Sequence, residues 1–131
     1  MIGEKVLHFK DKNADPGKLA DALQKHLEQQ GFTVQRSADS SHGILLQAKK
    51  GGFLREVIAA DRALSILISG SPNDLLVRIG IGKWIEHLAV TAIETLLISD
   101  IFLIIDVAET AWNFEIENKL VKDIEALVGQ A

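Results

Sequence analysis

Four histidines, His8, His26, His42 and His87, and four carboxylates in apolar surroundings, Glu94, Asp100, Asp106 and Glu109, are the side chains here that could move protons or hold a metal ion. The histidines share no ligand spacing with one another, and none forms an HExxH or Glu-x-x-His pattern. No metal site and no cofactor are therefore expected. His87 stands out because Glu94 follows seven residues on, on about the same face of a helix, where a carboxylate could hold the imidazole proton. A structural pair is the expectation. The carboxylates could act as general acids if burial favoured their neutral form. Their spacing argues otherwise, because six-residue steps turn a helix through about 240° and keep Glu94, Asp100 and Asp106 from one face. Helix caps and interface pairs account for them.

Two glycine-lysine clusters could hold an anion against backbone amides: Lys49-Lys50-Gly51-Gly52 and Gly80-Ile81-Gly82-Lys83-Trp84. The second precedes an expected helix, so Gly80, Gly82 and Lys83 are the candidate anion site. Neither cluster is a Walker loop or a GxGxxG fingerprint, and the simpler reading is that these glycines let the chain leave a strand and enter a helix. No nucleophile, base and orienting group can be placed together, so the chain is not expected to be an enzyme.

The elements that must position these residues belong to one domain. A chain of 131 residues can build a single hydrophobic core and not two. Hydrophobic residues at 47% and charged residues at 24% fit a globular fold. A net charge of -4 and a pI near 5.5 leave no basic footprint, so nucleic acid is not an expected partner. The absence of cysteine removes disulfides and thiolate chemistry. The first residues do not read as a secretory signal, and a cytoplasmic or membrane-peripheral location is expected.

Lys5 to Phe9 alternates in the strand period, with Val6 and His8 on one face and Leu7 and Phe9 on the other. Asp15-Pro16 supplies an N-cap and a first helical residue, Leu19, Leu23 and Leu27 form an apolar stripe, and Gly31 offers a left-handed stop. This predicts a helix over 16–30. Strands are expected at 32–36 and 44–48, separated by a turn-rich stretch, and at 64–68 and 75–79, joined by Ser69 to Asp74. Residues 53–60 fit a short helical lid, although Val57-Ile58 would also suit a strand.

From Trp84 there is no proline, and no glycine before Gly129, while Ile85, Leu88, Ala89, Ala92, Ile93, Leu96 and Leu97 follow helical spacing. Between Leu88 and Val107 apolar residues fill nearly every angular position, and a helix apolar all round must be buried all round. One sheet face cannot provide that. The run has the length of a membrane span, but each central carboxylate would cost roughly 3 kcal/mol at a bilayer centre, so a span is not expected. A break at Ser99-Asp100, or a restart at the Asp106 to Glu109 capping-box spacing, is more economical and leaves 101–105 as connector or buried strand. The last helix places Ala108, Trp112, Ile116, Leu120, Ile124 and Leu127 on one stripe. Burying even four extra Leu or Ile side chains is worth roughly 6 to 12 kcal/mol, so the apolar run must find cover.

Lys49 to Trp84, with Lys-Lys-Gly-Gly-Phe-Leu-Arg, Asp61-Arg62-Ala63-Leu64, the Pro72-Asn73-Asp74 turn and Gly80-Ile81-Gly82-Lys83-Trp84, is similar to uncharacterised bacterial domains sometimes attached to zinc-ribbon segments. That resemblance implies no activity, and this chain lacks a zinc ribbon's cysteines. The expected fold is α+β, with an antiparallel sheet in β-α-β(4)-α order covered by helices and a C-terminal helical region over 83–131. This order resembles the TATA-binding-protein-like and helix-grip classes, which include binders of apolar ligands.

These observations lead to a non-enzymatic binding or assembly module, a homodimer by preference, or alternatively to a carrier of a lipid or other apolar small molecule. The expected contact surface or apolar pocket is Trp84, Leu88, Ile93, Leu96, Leu97, Ile101, Phe102, Ile105 and Trp112, with Trp84 and Trp112 as core anchors.

Overall fold

The computed structural model describes residues 4–38, 40, 42–49, 62–93, 96, 101–102 and 114–130. These form strands β1 (Glu4–Lys10), β2 (Thr33–Arg36), β3 (Ile44–Lys49), β4 (Arg62–Ser71) and β5 (Asp74–Lys83), with helices α1 (Pro16–Gln29) and α2 (Phe114–Gln130). The five strands make one antiparallel sheet in the order β1-β5-β4-β3-β2. The expected α+β architecture is present. The suggested lid at 53–60 lies outside the described residues.

The sheet order dictates the course of α1. Its flanking strands, β1 and β2, lie at opposite edges, so the helix must carry the chain across the whole sheet. Its 14 residues span about 21 Å at 1.5 Å per residue, close to the roughly 19 Å of four interstrand spacings. Asp15 starts it by accepting a hydrogen bond from the Lys18 amide at 3.1 Å, with Pro16 as the first helical residue. Gly31, at φ 93°, ends it. There the Gly31 amide donates to Glu28 O at 3.0 Å and the Phe32 amide to Leu27 O at 3.1 Å, the bond pair of a Schellman stop.

On the inner face of the sheet, Leu19, Leu23 and Leu27 of α1 and Leu120, Ile124 and Val128 of α2 meet Ile66 and Ile79 in one apolar core. Leu120 and Ile124 are buried as their spacing predicts. Leu127 is only partly buried, and Val128 takes the deeper place beside it. His26 Nε2 of α1 lies 3.0 Å from Asp123 Oδ2 of α2.

The β4–β5 hairpin turns through Pro72-Asn73, since Ser71 pairs with Asp74. That turn also receives the loop after β1. The Asp11 amide donates to Asn73 O, the Ala14 amide to Pro72 O and the Asn13 amide to Asn73 Oδ1, each at 2.9 Å. Asp11 and Asn13 take φ values of 58° and 50°, which these residue types tolerate best after glycine. His8 Nε2 donates to Asp74 Oδ1 across the β1–β5 ladder.

That hydrogen bond from His8 holds the Asp74 carboxyl below its ordinary value, desolvation opposes the shift, and the His8 and Lys10 charges reinforce it. A carboxylate depressed in the folded state stabilises above its unfolded pKa, and the effect is lost as pH falls through the folded value. Between about pH 5 and pH 3, the wild type should lose more melting temperature by calorimetry than Asp74→Asn. Equal losses would remove this pair from the acid response.

Candidate interaction surface on the outer sheet face

The sheet is also buried on its other face. In β3, alternate residues divide between the two sides, with Ile44, Leu46 and Ala48 inward and Leu45 and Gln47 outward. Leu45 and Leu67 join Leu88, Ile93, Ile101 and Phe102 in a second apolar cluster, with Ile85 and Leu96 packed on its margin. The segment that follows β5 thus lies over the outer face as a strap.

This strap corrects the expectation of a helix from Trp84. Residues 84–92 contain one 3-10 turn, Leu88–Val90, preceded by left-handed His87 (φ 59°, ψ 33°) and followed by extended Thr91 (φ -108°, ψ 126°). Lys83 likewise belongs to β5 and not to the C-terminal helices. The reason is geometric. Five helical residues turn the chain through about 140° net, so Leu88 and Ile93 could not both face a flat sheet from one helix. In the irregular path they are 0% and 7% exposed.

A chain without regular structure must find other partners for its backbone. Gln47, itself 0% exposed, supplies several. Its Nε2 donates to Lys83 O and to Ser65 Oγ at 3.2 Å. Its Oε1 accepts from the Ile85 amide at 2.9 Å and from Gln35 Nε2 at 2.8 Å. Gln35 Nε2 also donates to Ile85 O at 2.8 Å. Both donors and both lone pairs of the Gln47 amide are therefore used, and they fix the chain where it leaves β5. Further along, the Ala38 amide donates to Thr91 O at 3.1 Å, tying the strap to the end of β2.

The candidate anion site, Gly80, Gly82 and Lys83, falls on a strand. All three lie in β5, no α-helix follows among the described residues up to Ile93, and Lys83 is exposed at the strand end. Gly82 instead makes room for the strap, since a Cβ there would overlap the Ile101 carbonyl oxygen and meet Ser65 Oγ at 2.8 Å. Only glycine lets Ile101 approach the strand so closely.

The predicted contact residues divide accordingly. Leu88, Ile93, Ile101 and Phe102 are buried within this chain, while Leu96 is half-buried. Phe102 lies under the Arg78 guanidinium, at 5.1 Å from carbon to ring centre, and half-buried Trp84 under Lys49 Nζ at 4.3 Å. Leu97, Ile105 and Trp112 lie outside the described residues, as do the carboxylates Glu94, Asp100, Asp106 and Glu109 and the glycines of the first cluster. Val90, which spacing did not single out, is 82% exposed within the same strap.

The histidines do not converge. His8 sits on an edge strand, His26 between the helices, His42 between β2 and β3, and His87 at the start of the strap. The pairs His8–Asp74 and His26–Asp123 escaped sequence reasoning, because 66 and 97 residues separate their members and no local pattern records such contacts. Among the described residues, no group of three or more His, Asp or Glu could hold a metal ion, and no helix is long and apolar enough to cross a membrane. Comparison with protein-family models, curated proteins and solved structures gave no match.

Two substitutions test how the strap is held, with urea denaturation as the readout. Gln47→Leu should lower unfolding stability by about 3 kcal/mol, since it strands buried donors and acceptors. Gly82→Ala should cost about 1–3 kcal/mol through overpacking against Ile101. A neutral result for Gly82→Ala would mean that the strap shifts freely.

Proposed function

We propose that this chain is a non-enzymatic assembly module that binds a second copy of itself through the apolar layer on its outer sheet face. The observation that carries the reading is Val90, 82% exposed in a segment whose neighbour Leu88 is completely buried. The layer thus has one apolar side spent on the sheet and an aliphatic residue turned outward. The sequence continues in kind, with nine apolar residues among the twelve from Leu96 to Val107. A run of that density favours a protein partner with an equally apolar surface, and a second copy supplies one by symmetry. The net charge of -4 weighs against an anionic lipid surface as the partner. The element order supports placing the fold beside the TATA-binding-protein-like class.

Light scattering after size exclusion tests this reading. The wild type should run at twice the 14.3 kDa chain mass. Val90→Glu should run as a monomer with stability within about 0.5 kcal/mol of wild type, as expected for an exposed site. Phe102→Glu is unsuitable, because Phe102 is 7% exposed and its loss would unsettle the chain's own core. A wild type that stays monomeric at its highest soluble concentration would end the proposal.

A further inference from the structure

The sheet has two edges, and they differ. At one, β2 has four residues. At the other, β1 runs for seven, Glu-Lys-Val-Leu-His-Phe-Lys, without proline and without a bulge against β5. Among the described residues nothing pairs with its outer edge. Alternate residues of an antiparallel strand direct their N–H and C=O away from the neighbouring strand, so about half of β1 offers unpaired backbone groups.

We propose that β1 pairs antiparallel with β1 of a second copy about a twofold axis at Leu7, joining two five-stranded sheets into one. This surface is separate from the outer-layer contact proposed above. Register singles out that axis. Opposed residues in antiparallel strands point to the same side, so a join that keeps each outer face on one side must pair residues of the same parity. Centred on Leu7, all seven residues pair: Leu7 with itself, Val6 with His8, Lys5 with Phe9 and Glu4 with Lys10. Glu4 and Lys10, of opposite charge type, then share register positions at both ends, and no lysine opposes a lysine.

The neighbouring face-preserving registers are poorer. An axis at Val6 or at His8 pairs only five of the seven residues and forfeits the Glu4–Lys10 match. An axis at Lys5 sets lysine against lysine, which is how exposed edges are usually guarded. The lysines of β1 therefore select a register and do not forbid pairing altogether. Val6, 50% exposed, gains the His8 ring as a neighbour. Leu7 and Phe9, only partly buried at the margin of the inner core, gain cover.

The chain contains no cysteine, which permits a clean cross-linking test. Val6→Cys, Leu7→Cys and His8→Cys are oxidised mildly, and covalent dimer is read on non-reducing gels. Leu7→Cys should link several-fold more than either of the others alone, since only its Cβ faces its own symmetry mate at disulfide range. An equimolar mixture of Val6→Cys and His8→Cys should link as well, and it guards against Leu7→Cys failing to fold, because both of its sites are exposed. Dominant self-linking of Val6→Cys or His8→Cys would mean another register and would overturn the proposal. Absence of linking in both Leu7→Cys and the mixture would overturn it too.

The Val90→Glu background separates the two contacts. The edge contact is too weak to hold a dimer under the conditions of light scattering and is trapped only by the disulfide, so Leu7→Cys linking that persists in this background supports it and linking abolished there refutes it. A wild-type dimer dissolved by Val90→Glu, in a chain whose β1 cysteines never link, would sink the edge proposal and leave the outer-layer reading standing.

Discussion

Strands β3 and β4 bury side chains on both sides, so the sheet must be covered twice, and that requirement organises the molecule. Antiparallel sheets commonly leave one face to water. Here Leu46, Ile66 and Ile79 look into the helical layer while Leu45 and Leu67 look the other way. Two amphipathic helices cover the inner face. On the outer face, residues 84–92 hold only the 3-10 turn Leu88–Val90, and Leu88 and Ile93, both buried there, stand about 140° apart on a helix, too far for one helix to lay both on the sheet.

This choice shifts the burden to polar side chains. A helix satisfies its own backbone, whereas an irregular strap depends on whatever lies beneath it. Gln47 and Gln35 stand on adjacent strands at positions where the alternation would otherwise call for apolar residues, and their amides bond the Lys83 to Ile85 backbone. A buried network of this kind is favourable only when every member is satisfied. The Gln47 amide meets that condition. Gly82 serves the same end by removing a side chain where Ile101 crosses.

The periphery follows from topology. With β1 and β2 at opposite edges, α1 must span the sheet, and its length suits the crossing. The loop that leads into α1 rests on the Pro72-Asn73 turn through three backbone amides, and the His8–Asp74 contact lies beside it. This corner joins the sheet edge to the helical layer through these hydrogen bonds and through Ala14, which is buried in the inner core.

Local chemistry made much of this legible in advance. The Asp15-Pro16 start, the leucine stripe and the Gly31 stop of α1 are short-range signals, and so are the period-two strands and the Pro72-Asn73 turn, because each depends on neighbours within a few residues. The outer layer was not legible in that way. Helical spacing in Ile85 to Ile93 shows only that apolar residues recur, and the flat sheet beneath them, assembled from residues up to some forty positions earlier, decided that they would be laid down as a strap. The roles of Gly82, Gln47, His26 and Asp123 were likewise settled by contacts between distant segments, since a close approach or a shared hydrogen bond exists only once the layers have packed.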